Sequence, residues 1–246
     1  MNSSNHPKPN TEEDWSDSAW MDEEPGRTIK EPGLRVRTGD PSNPIVLVET
    51  AFLASAASLI WFVNFYFPMG PLLQIFFPTP IALVYLRSGR RAAWMAALIS
   101  GLLLTILMGP PRSIQYVVPY GLLGVLLGYL WQRKSSWGWS IFLGTVLATI
   151  GSFFRIWLVS ILLGDDLWTY STIQVTGLLD WVFTKFGLLV QPTLSLVQLM
   201  AVGLIVLRNL VYLFVVHVVA WFLLDRLGDK IPNPPKWVQT LFEMES

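Results

Sequence analysis

Six stretches of the sequence are almost entirely apolar, and polar or charged segments separate them. A helix rises about 1.5 Å per residue, so roughly 20 apolar residues cross the hydrocarbon core of a membrane. The pattern therefore predicts an all-α, polytopic membrane helix bundle. The six predicted transmembrane helices are Pro44–Phe67, Pro71–Leu86, Ala92–Met108, Ile114–Trp131, Trp139–Leu163 and Leu194–Leu224.

The second predicted helix is the shortest, and it contains Pro78 and Pro80. Proline lacks a backbone N–H and disturbs a helix interior, so we expect this segment to be kinked or partly unwound. Unwound backbone at membrane depth is tolerated only where protein or a cavity surrounds it. A proline kink satisfied by neighbouring helices is the alternative.

Polar segments flank and interrupt the predicted membrane domain at residues 44–224. Residues 1–43 carry many prolines and an acidic part followed by a basic part, which predicts a disordered cytoplasmic tail. Residues 164–193 form an external segment whose apolar middle, Leu178–Val190, is too short to cross the membrane. We expect an interfacial helix there, either as a lid or as a surface anchor. Residues 225–246 predict a short cytoplasmic C-terminal tail.

Lysine and arginine residues are concentrated on one side of the predicted bundle. The loops at Arg87–Arg91 and Arg133–Lys134 and the two tails hold most of them, whereas the opposite side holds only Arg112 and Lys185. Cytoplasmic loops of membrane proteins are enriched in these residues. The distribution predicts that both termini are cytoplasmic, in a bacterial inner membrane or another internal membrane.

Composition narrows the range of functions. The chain is 52% hydrophobic and 14% charged, against about 25% charged residues in a soluble domain. It contains no cysteine, which excludes disulfides, iron–sulfur clusters and thiolate metal sites. It has no zinc-protease, serine-hydrolase or phosphate-loop motif and no acidic cluster for a metal. We therefore expect a protein that is not an enzyme, needs no metal or cofactor, and binds no nucleic acid, because its basic residues follow the membrane pattern.

Two arginines, Arg155 and Arg208, lie deep inside predicted helices, with no acidic residue at the same depth. A guanidinium in hydrocarbon costs at least about 2.5–3.5 kcal/mol, so it normally has a partner. Thr149 and Ser152 share a polar face beside Arg155, and Tyr212 follows Arg208 by one helical turn. These five residues are the predicted site for a small anionic solute, since guanidinium groups suit carboxylate or phosphate. The alternative is that both arginines bind loop carbonyls or reach outer lipid headgroups.

Small and amide side chains mark expected helix contacts. Ala51 with Ser55, and Ala54 with Ser58, form two overlapping pairs of small residues on the first predicted helix. Small residues let helices approach closely, either inside the bundle or against another membrane subunit. Asn209 is expected to donate a hydrogen bond to a neighbouring helix.

Two stretches of the sequence resemble a known family. The run Phe76–Gly89 contains the letters FPTP and ends in glycine, and it is similar to the second-helix signature of the YybS-like predicted membrane proteins. The run Pro119–Gly128 reads PYGLLGVLLG and is similar to that family's fourth helix. The resemblance covers about Ile45 to Leu224.

The YybS-like family has an unknown function and is regarded as related to the substrate-binding S subunits of energy-coupling-factor (ECF) transporters. The resemblance implies six helices, both termini inside, and a ligand in the outer half of the membrane. It also implies that Ala51, Ala54, Ser55 and Ser58 form a face toward a transmembrane coupling subunit, which two ATPases drive. We therefore expect a lipid-embedded protein that binds a small anionic solute for uptake energised by partner subunits. The alternative is a non-catalytic membrane scaffold or assembly factor.

Overall fold

The computed structural model describes residues 44–67, 70–187 and 192–226. Within these ranges the chain forms helices joined by short turns, without a strand. The predicted tail at residues 1–43 and most of the predicted C-terminal tail lie outside them. The elements are α1 (Pro44–Tyr66), α2 (Pro71–Gln74), α3 (Thr79–Met108), α4 (Pro110–Tyr116), a π-helical turn (Val117–Gly121), α5 (Leu122–Gln132), α6 (Trp137–Leu163), α7 (Leu167–Lys185) and α8 (Leu194–Arg226).

Five helical stretches in the described part of the chain are long and apolar enough to cross a membrane. They confirm a multi-pass, all-helical membrane protein. The six predicted spans are not reproduced as six separate helices, because the second one, Pro71–Leu86, breaks after Gln74 and its remainder continues into the third as the single helix α3. The five stretches are Pro44–Tyr66, Thr79–Met108, Pro110–Gln132, Trp137–Leu163 and Leu194–Leu224.

The second predicted span divides into two pieces. The first piece, α2, ends at Gln74, and α3 begins at Thr79, so the backbone between them is non-helical. Pro78 directly precedes α3, and Pro80 lies in its first turn. Proline is tolerated in a first turn, where its missing N–H would have no helical partner, but it cannot continue a helix from upstream. The predicted unwinding at these prolines is confirmed.

Two arms of α3 meet at Gly89, whose φ of 84° and ψ of −176° are non-helical. A residue with a Cβ atom is strained at this positive φ, so glycine permits the turn. The first arm runs parallel to α5: Gly124 faces Ile81, and one turn later Gly128 faces Tyr85. A Cβ atom on Gly124 would lie 2.8 Å from the Ile81 Cβ, so the missing side chains allow this close approach.

The second arm of α3 runs in the opposite direction along its neighbour. Gly121 faces Ala97, and Gly101 faces Val117. The second arm is therefore antiparallel to the π-helical turn, whereas the first arm is parallel to α5. The chain turns back on itself at Gly89, and both arms pack against the segment that runs from α4 to α5.

An ion pair joins α1 to the end of the first arm of α3. Arg87 Nη1 donates a hydrogen bond to Glu49 Oε1 at 2.9 Å, and about a third of each side chain is exposed. Partly exposed pairs of this kind contribute at most about 1 kcal/mol. Arg90 and Arg91 follow the turn directly, so basic side chains are concentrated at this end of the bundle.

The segment that was predicted to be external contains a longer helix than the sequence predicts. The Asp166 carboxylate caps α7 by accepting hydrogen bonds from the backbone N–H groups of Trp168 at 2.9 Å and Thr169 at 3.2 Å. Such a cap satisfies N–H groups that have no partner in the first helical turn, so the helix begins here. α7 ends at Lys185, so the predicted helix at Leu178–Val190 is displaced toward the N-terminus. α7 is not among the helices apolar enough to cross the membrane.

Candidate ligand-binding cavity

A cavity of about 560 Å³ lies between α6 and α8, and the π-helical turn and the end of α2 form further walls. Small-molecule sites have volumes of about 300–1,000 Å³, so this cavity has room for a ligand. Its apolar lining residues are Ile75, Pro119, Leu123, Ala148, Gly151, Ile156, Val159, Leu167, Ile205, Val211 and Val215. Its polar and charged lining residues are Gln74, Tyr120, Ser152, Arg155, Arg208, Asn209 and Tyr212.

The two arginines singled out by the sequence line this one cavity. Arg155 comes from α6 and Arg208 from α8, and both side chains are exposed. Within the described residues neither guanidinium makes an ion pair or a hydrogen bond with protein, whereas Arg87 is paired with Glu49. Loop carbonyls in that part of the chain therefore do not neutralise them. The cavity brings together two cationic groups that a ligand can reach.

A hydrogen-bond network fixes α6 against α8 beside the cavity. The Asn209 amide nitrogen, Nδ2, donates to Thr149 Oγ1 at 3.2 Å and to Ser152 Oγ at 3.1 Å. Asn209 is buried, and the expected interhelical hydrogen bond is confirmed. Of the two predicted ligand-binding residues in this network, Ser152 lines the cavity, whereas Thr149 lies behind it and holds Asn209. Interhelical bonds of this kind stabilise a membrane protein by about 0.6 kcal/mol on average.

Tyr212, another predicted site residue, lines the cavity and contacts the segment at α2. Its hydroxyl donates a hydrogen bond to the backbone carbonyl of Gln74 at 2.9 Å. Gln74 is the last residue of α2, and its carbonyl oxygen also accepts a hydrogen bond from the backbone N–H of Phe77 at 3.1 Å. The tyrosine therefore ties the interrupted segment to α8. No sequence motif had indicated that Gln74 belongs to the site.

A cluster of aromatic rings includes Tyr120 and Tyr212, which line the cavity. Trp61 packs against Phe77 at 4.9 Å and against Tyr120 at 5.4 Å between ring centroids. Tyr120 also contacts Tyr212 edge to face at 6.4 Å. Aromatic pairs in such tilted arrangements add about 0.5–1.5 kcal/mol beyond their buried area. The cluster joins α1, the segment between α2 and α3, the π-helical turn and α8 next to the cavity.

The π-helical turn brings Pro119 against α6. Proline cannot donate the hydrogen bond that an α-helix needs at its position, and the helix takes one wider turn there. Gly151 faces this proline so closely that an added Cβ atom would lie 2.8 Å from the Pro119 Cβ. The contact sets the spacing of the two helices, and the glycine leaves the next turn of α6 free to present Arg155 to the cavity.

A second, smaller cavity of about 150 Å³ adjoins the first. Three residues line both cavities: Gln74, Tyr120 and Arg155. We call this second cavity the inner cavity. Its remaining lining residues are Trp61, Asn64, Phe65, Phe77 and Gln115. The Nε1 of Trp61 and the Oδ1 of Asn64 are buried without a hydrogen-bond partner in the described part of the chain. Buried polar atoms without partners are rare, so a bound group in this region would be expected to serve them.

A family model described as Predicted membrane protein (DUF2232) matches residues 55–242, about three quarters of the chain. The chain belongs to this family. The matched range of this DUF2232 protein contains every residue that lines the two cavities, from Trp61 to Val215. Searches of curated proteins and of solved structures found no match. The family description mentions neither a YybS-like relationship nor an ECF function, so both stay predictions.

The predicted partner-coupling face is divided by the fold. Ala51 and Ser55 are exposed on α1, whereas Ala54 and Ser58 are buried inside the bundle. Residues three apart on a helix point in directions about 60° apart, which is enough to separate a lipid-facing pair from a core-facing pair. A second membrane subunit can therefore reach only Ala51 and Ser55 of the four.

The described residues contain no group of three or more His, Cys, Asp or Glu side chains placed to hold a metal ion. His217, the one histidine within these ranges, is buried away from the cavity. Its ring nitrogens lie 2.8 Å from the Leu213 carbonyl oxygen and 2.9 Å from Ser140 Oγ. The chemistry that the cavity itself offers is cationic, hydrogen-bonding and apolar.

Proposed function

We propose that this DUF2232 protein binds a small anionic solute between Arg155 and Arg208. The observation that carries the proposal is that both guanidinium groups line one cavity with room for a ligand and have no hydrogen bond or ion pair with the described part of the chain. Each guanidinium at membrane depth costs at least about 2.5–3.5 kcal/mol, and a bound anion would offset this cost. Carboxylate and phosphate both match the two parallel N–H groups of a guanidinium.

The position of Arg208 argues against neutralisation by outer lipid headgroups. At 1.5 Å per residue, Arg208 lies about 21 Å along α8 from Leu194. It is thus near the middle of the apolar stretch Leu194–Leu224, which has 31 residues. Long basic side chains reach headgroups mainly from positions near helix ends. A ligand in the cavity is the nearer source of negative charge.

The proposed topology has six passes with both termini in the cytoplasm. The reversal at Gly89 supports counting the two arms of α3 as separate passes, the first of them completed by α2. Arg87, Arg90 and Arg91 surround this turn, as expected for a cytoplasmic loop. The membrane would be a bacterial inner membrane or another internal membrane, and the cavity would lie toward its outer half.

Uptake of the solute would require energy from partner subunits, since the protein is proposed to have no catalytic activity and no cofactor. An ECF-type coupling subunit with its ATPases is the partner that the sequence resemblance implies. Ala51 and Ser55 are the residues of the expected coupling face that such a subunit could contact. The alternative function is a membrane scaffold, for which a filled core and protein-paired arginines would be expected. The open cavity favours solute binding.

Charge reversal at Arg208 tests the proposed function. We expect wild-type protein in detergent to bind decanoate or octyl phosphate in isothermal titration calorimetry. Arg208→Glu should weaken binding at least tenfold, because one charged hydrogen bond contributes about 1.5–3 kcal/mol. Arg91→Glu is the matched control, since Arg91 is exposed and lines neither cavity. Equal affinity of wild type and Arg208→Glu would remove the proposal.

A further inference from the structure

The larger cavity is apolar on both sides of its two arginines. Along α6, Ala148 and Val159 line the cavity on either side of Arg155, and the lining residues of α8 include Ile205 and Val215 around Arg208. An inorganic anion would leave most of this aliphatic surface without a partner. An anionic group attached to an apolar body would cover it, and burial of that body would add to the affinity.

Arg155 lies at the boundary between the two cavities. Together with Gln74 and Tyr120, it lines both of them. A carboxylate or phosphate bound at Arg155 is therefore adjacent to the inner cavity as well as to the aliphatic walls of the larger one. One part of such a ligand would contact the aliphatic walls of the larger cavity, and another part would contact the polar residues of the inner cavity.

Carboxamide side chains from three separate helices meet in the inner cavity: Asn64 of α1, Gln74 of α2 and Gln115 of α4. Within the described residues these three side chains make no hydrogen bond with protein. The buried indole N–H of Trp61 also lacks a partner there. Carboxamides both donate and accept hydrogen bonds and carry no charge. They suit a hydroxyl or amide group of a ligand better than a second anionic group.

We propose that the ligand is an amphipathic anion that also carries a neutral hydrogen-bonding group, such as a hydroxyl, and that this group occupies the inner cavity beyond Arg155. The inference rests on the proposed binding of an anion at Arg155 and Arg208. The aliphatic part lies along α6 and α8, the anionic group lies at the arginines, and the hydroxyl-bearing part reaches Asn64 and Gln115. The inner volume of about 150 Å³ is larger than one water molecule needs.

Paired probes that differ only in hydroxyl groups test this inference. Octyl propyl phosphate and octyl glyceryl phosphate carry the same single charge, and decanoate and 3-hydroxydecanoate form a second pair. We expect the hydroxylated member of at least one pair to bind wild-type protein about tenfold more tightly, because a site built for a hydroxyl disfavours the analogue that lacks it. Gln115→Leu and Asn64→Leu should each reduce this preference without weakening the plain probe. Gln198→Leu is the matched control, since Gln198 is exposed on α8 and lines neither cavity.

The outcomes separate the inner site from the anion site. Equal affinities within both pairs for wild-type protein would overturn the inner site while anion binding stands, and this comparison needs no variant that might fold poorly. Failure of all four probes to bind would remove both proposals. A preference that survives in Gln115→Leu and Asn64→Leu would also overturn the assignment. Titration of the same probes into wild-type protein in bilayers that contain phosphatidylglycerol identifies the source of the natural ligand. Weaker probe binding, caused by competition from the lipid, points to a membrane lipid, and unchanged probe affinity points to a soluble solute.

Discussion

Replacing Gly128 with alanine should disturb the packing of the first arm of α3 against α5. The new Cβ atom would lie 2.7 Å from the Tyr85 Cγ and 3.0 Å from the carbonyl oxygen of Ala82. Carbon atoms reach their best separation at about 3.5–4.0 Å, so the arm must move away. Neither neighbour can rotate aside, since one is the root of a ring and the other is backbone.

The expected loss follows from two opposing terms. Overpacking of a close contact costs about 1–3 kcal/mol, whereas alanine in place of a helical glycine regains about 0.5–1 kcal/mol. Because the new Cβ atom meets two neighbours at once, the overpacking cost lies in the upper part of this range, about 2–3 kcal/mol, and the net loss in the free energy of unfolding is about 1–2.5 kcal/mol. For a chain of this size each kcal/mol lowers Tm by about 2–4 °C, so Gly128→Ala should melt about 2–10 °C below wild type.

Thermal unfolding of the purified protein in detergent, followed by far-ultraviolet circular dichroism, measures this difference. Gly203→Ala is the matched control, because Gly203 lies within α8 and an added Cβ atom there would meet nothing within 4 Å. That variant should melt at or above the wild-type temperature. If Gly128→Ala is as stable as wild type, or if both variants lose the same stability, the parallel packing of the first arm on α5 is wrong.

Three further predictions concern the surroundings of the site. Asn209→Leu removes the amide donor to Thr149 and Ser152 and should lower the free energy of unfolding by about 0.6–1.7 kcal/mol; an unchanged melting temperature would contradict this. Asp166→Ala should lower the hydrogen-exchange protection factors of the first turn of α7. Hydrogen bonds from the side chain and backbone of Thr169 hold the pKa of the Asp166 carboxyl below its usual value. The cap should therefore be intact above the ordinary carboxyl pKa and lost as pH falls through the lowered pKa. Equal protection factors in wild type and Asp166→Ala at every pH would contradict the role of this cap. Affinity purification from native membranes should recover a coupling subunit with ATPases, whereas envelope or division proteins without an ATPase would favour the scaffold.

The features that could be predicted from the sequence are those set by hydrophobicity and by the position of charged residues. Apolar runs of adequate length must lie in lipid, so the multi-pass helical architecture and the approximate bounds of most spans could be inferred, as could the break at Pro78 and Pro80. The count of six spans was not reproduced, since the described residues contain five candidate spans. The scarcity of acidic residues at membrane depth singled out Arg155 and Arg208, and both line the same cavity. Helical periodicity also placed Tyr212 on the face of Arg208. These inferences depend only on local sequence and on the properties of hydrocarbon.

The features that depend on contacts between distant segments could not be predicted. Gln74 joins the site because Tyr212 binds its carbonyl, and these two residues are 138 positions apart. The inner cavity requires α1, α2 and α4 to meet, and no periodicity in one helix indicates such a meeting. The division of the small residues on α1 likewise depends on which face α3 covers. For α7, the signal was local but was missed: Asp166 is a typical N-cap residue before the helix.

Native mass spectrometry of the protein purified from its own membranes tests anion binding at Arg155 and Arg208 most directly. We expect one small anionic molecule per protein, released on activation and identifiable by its mass. It should be absent from the Arg155→Gln/Arg208→Gln double variant and retained by an Arg90→Gln/Arg91→Gln double variant of equal charge. A ligand retained by both double variants, or a wild-type protein that carries and binds no anion, would contradict the proposed site.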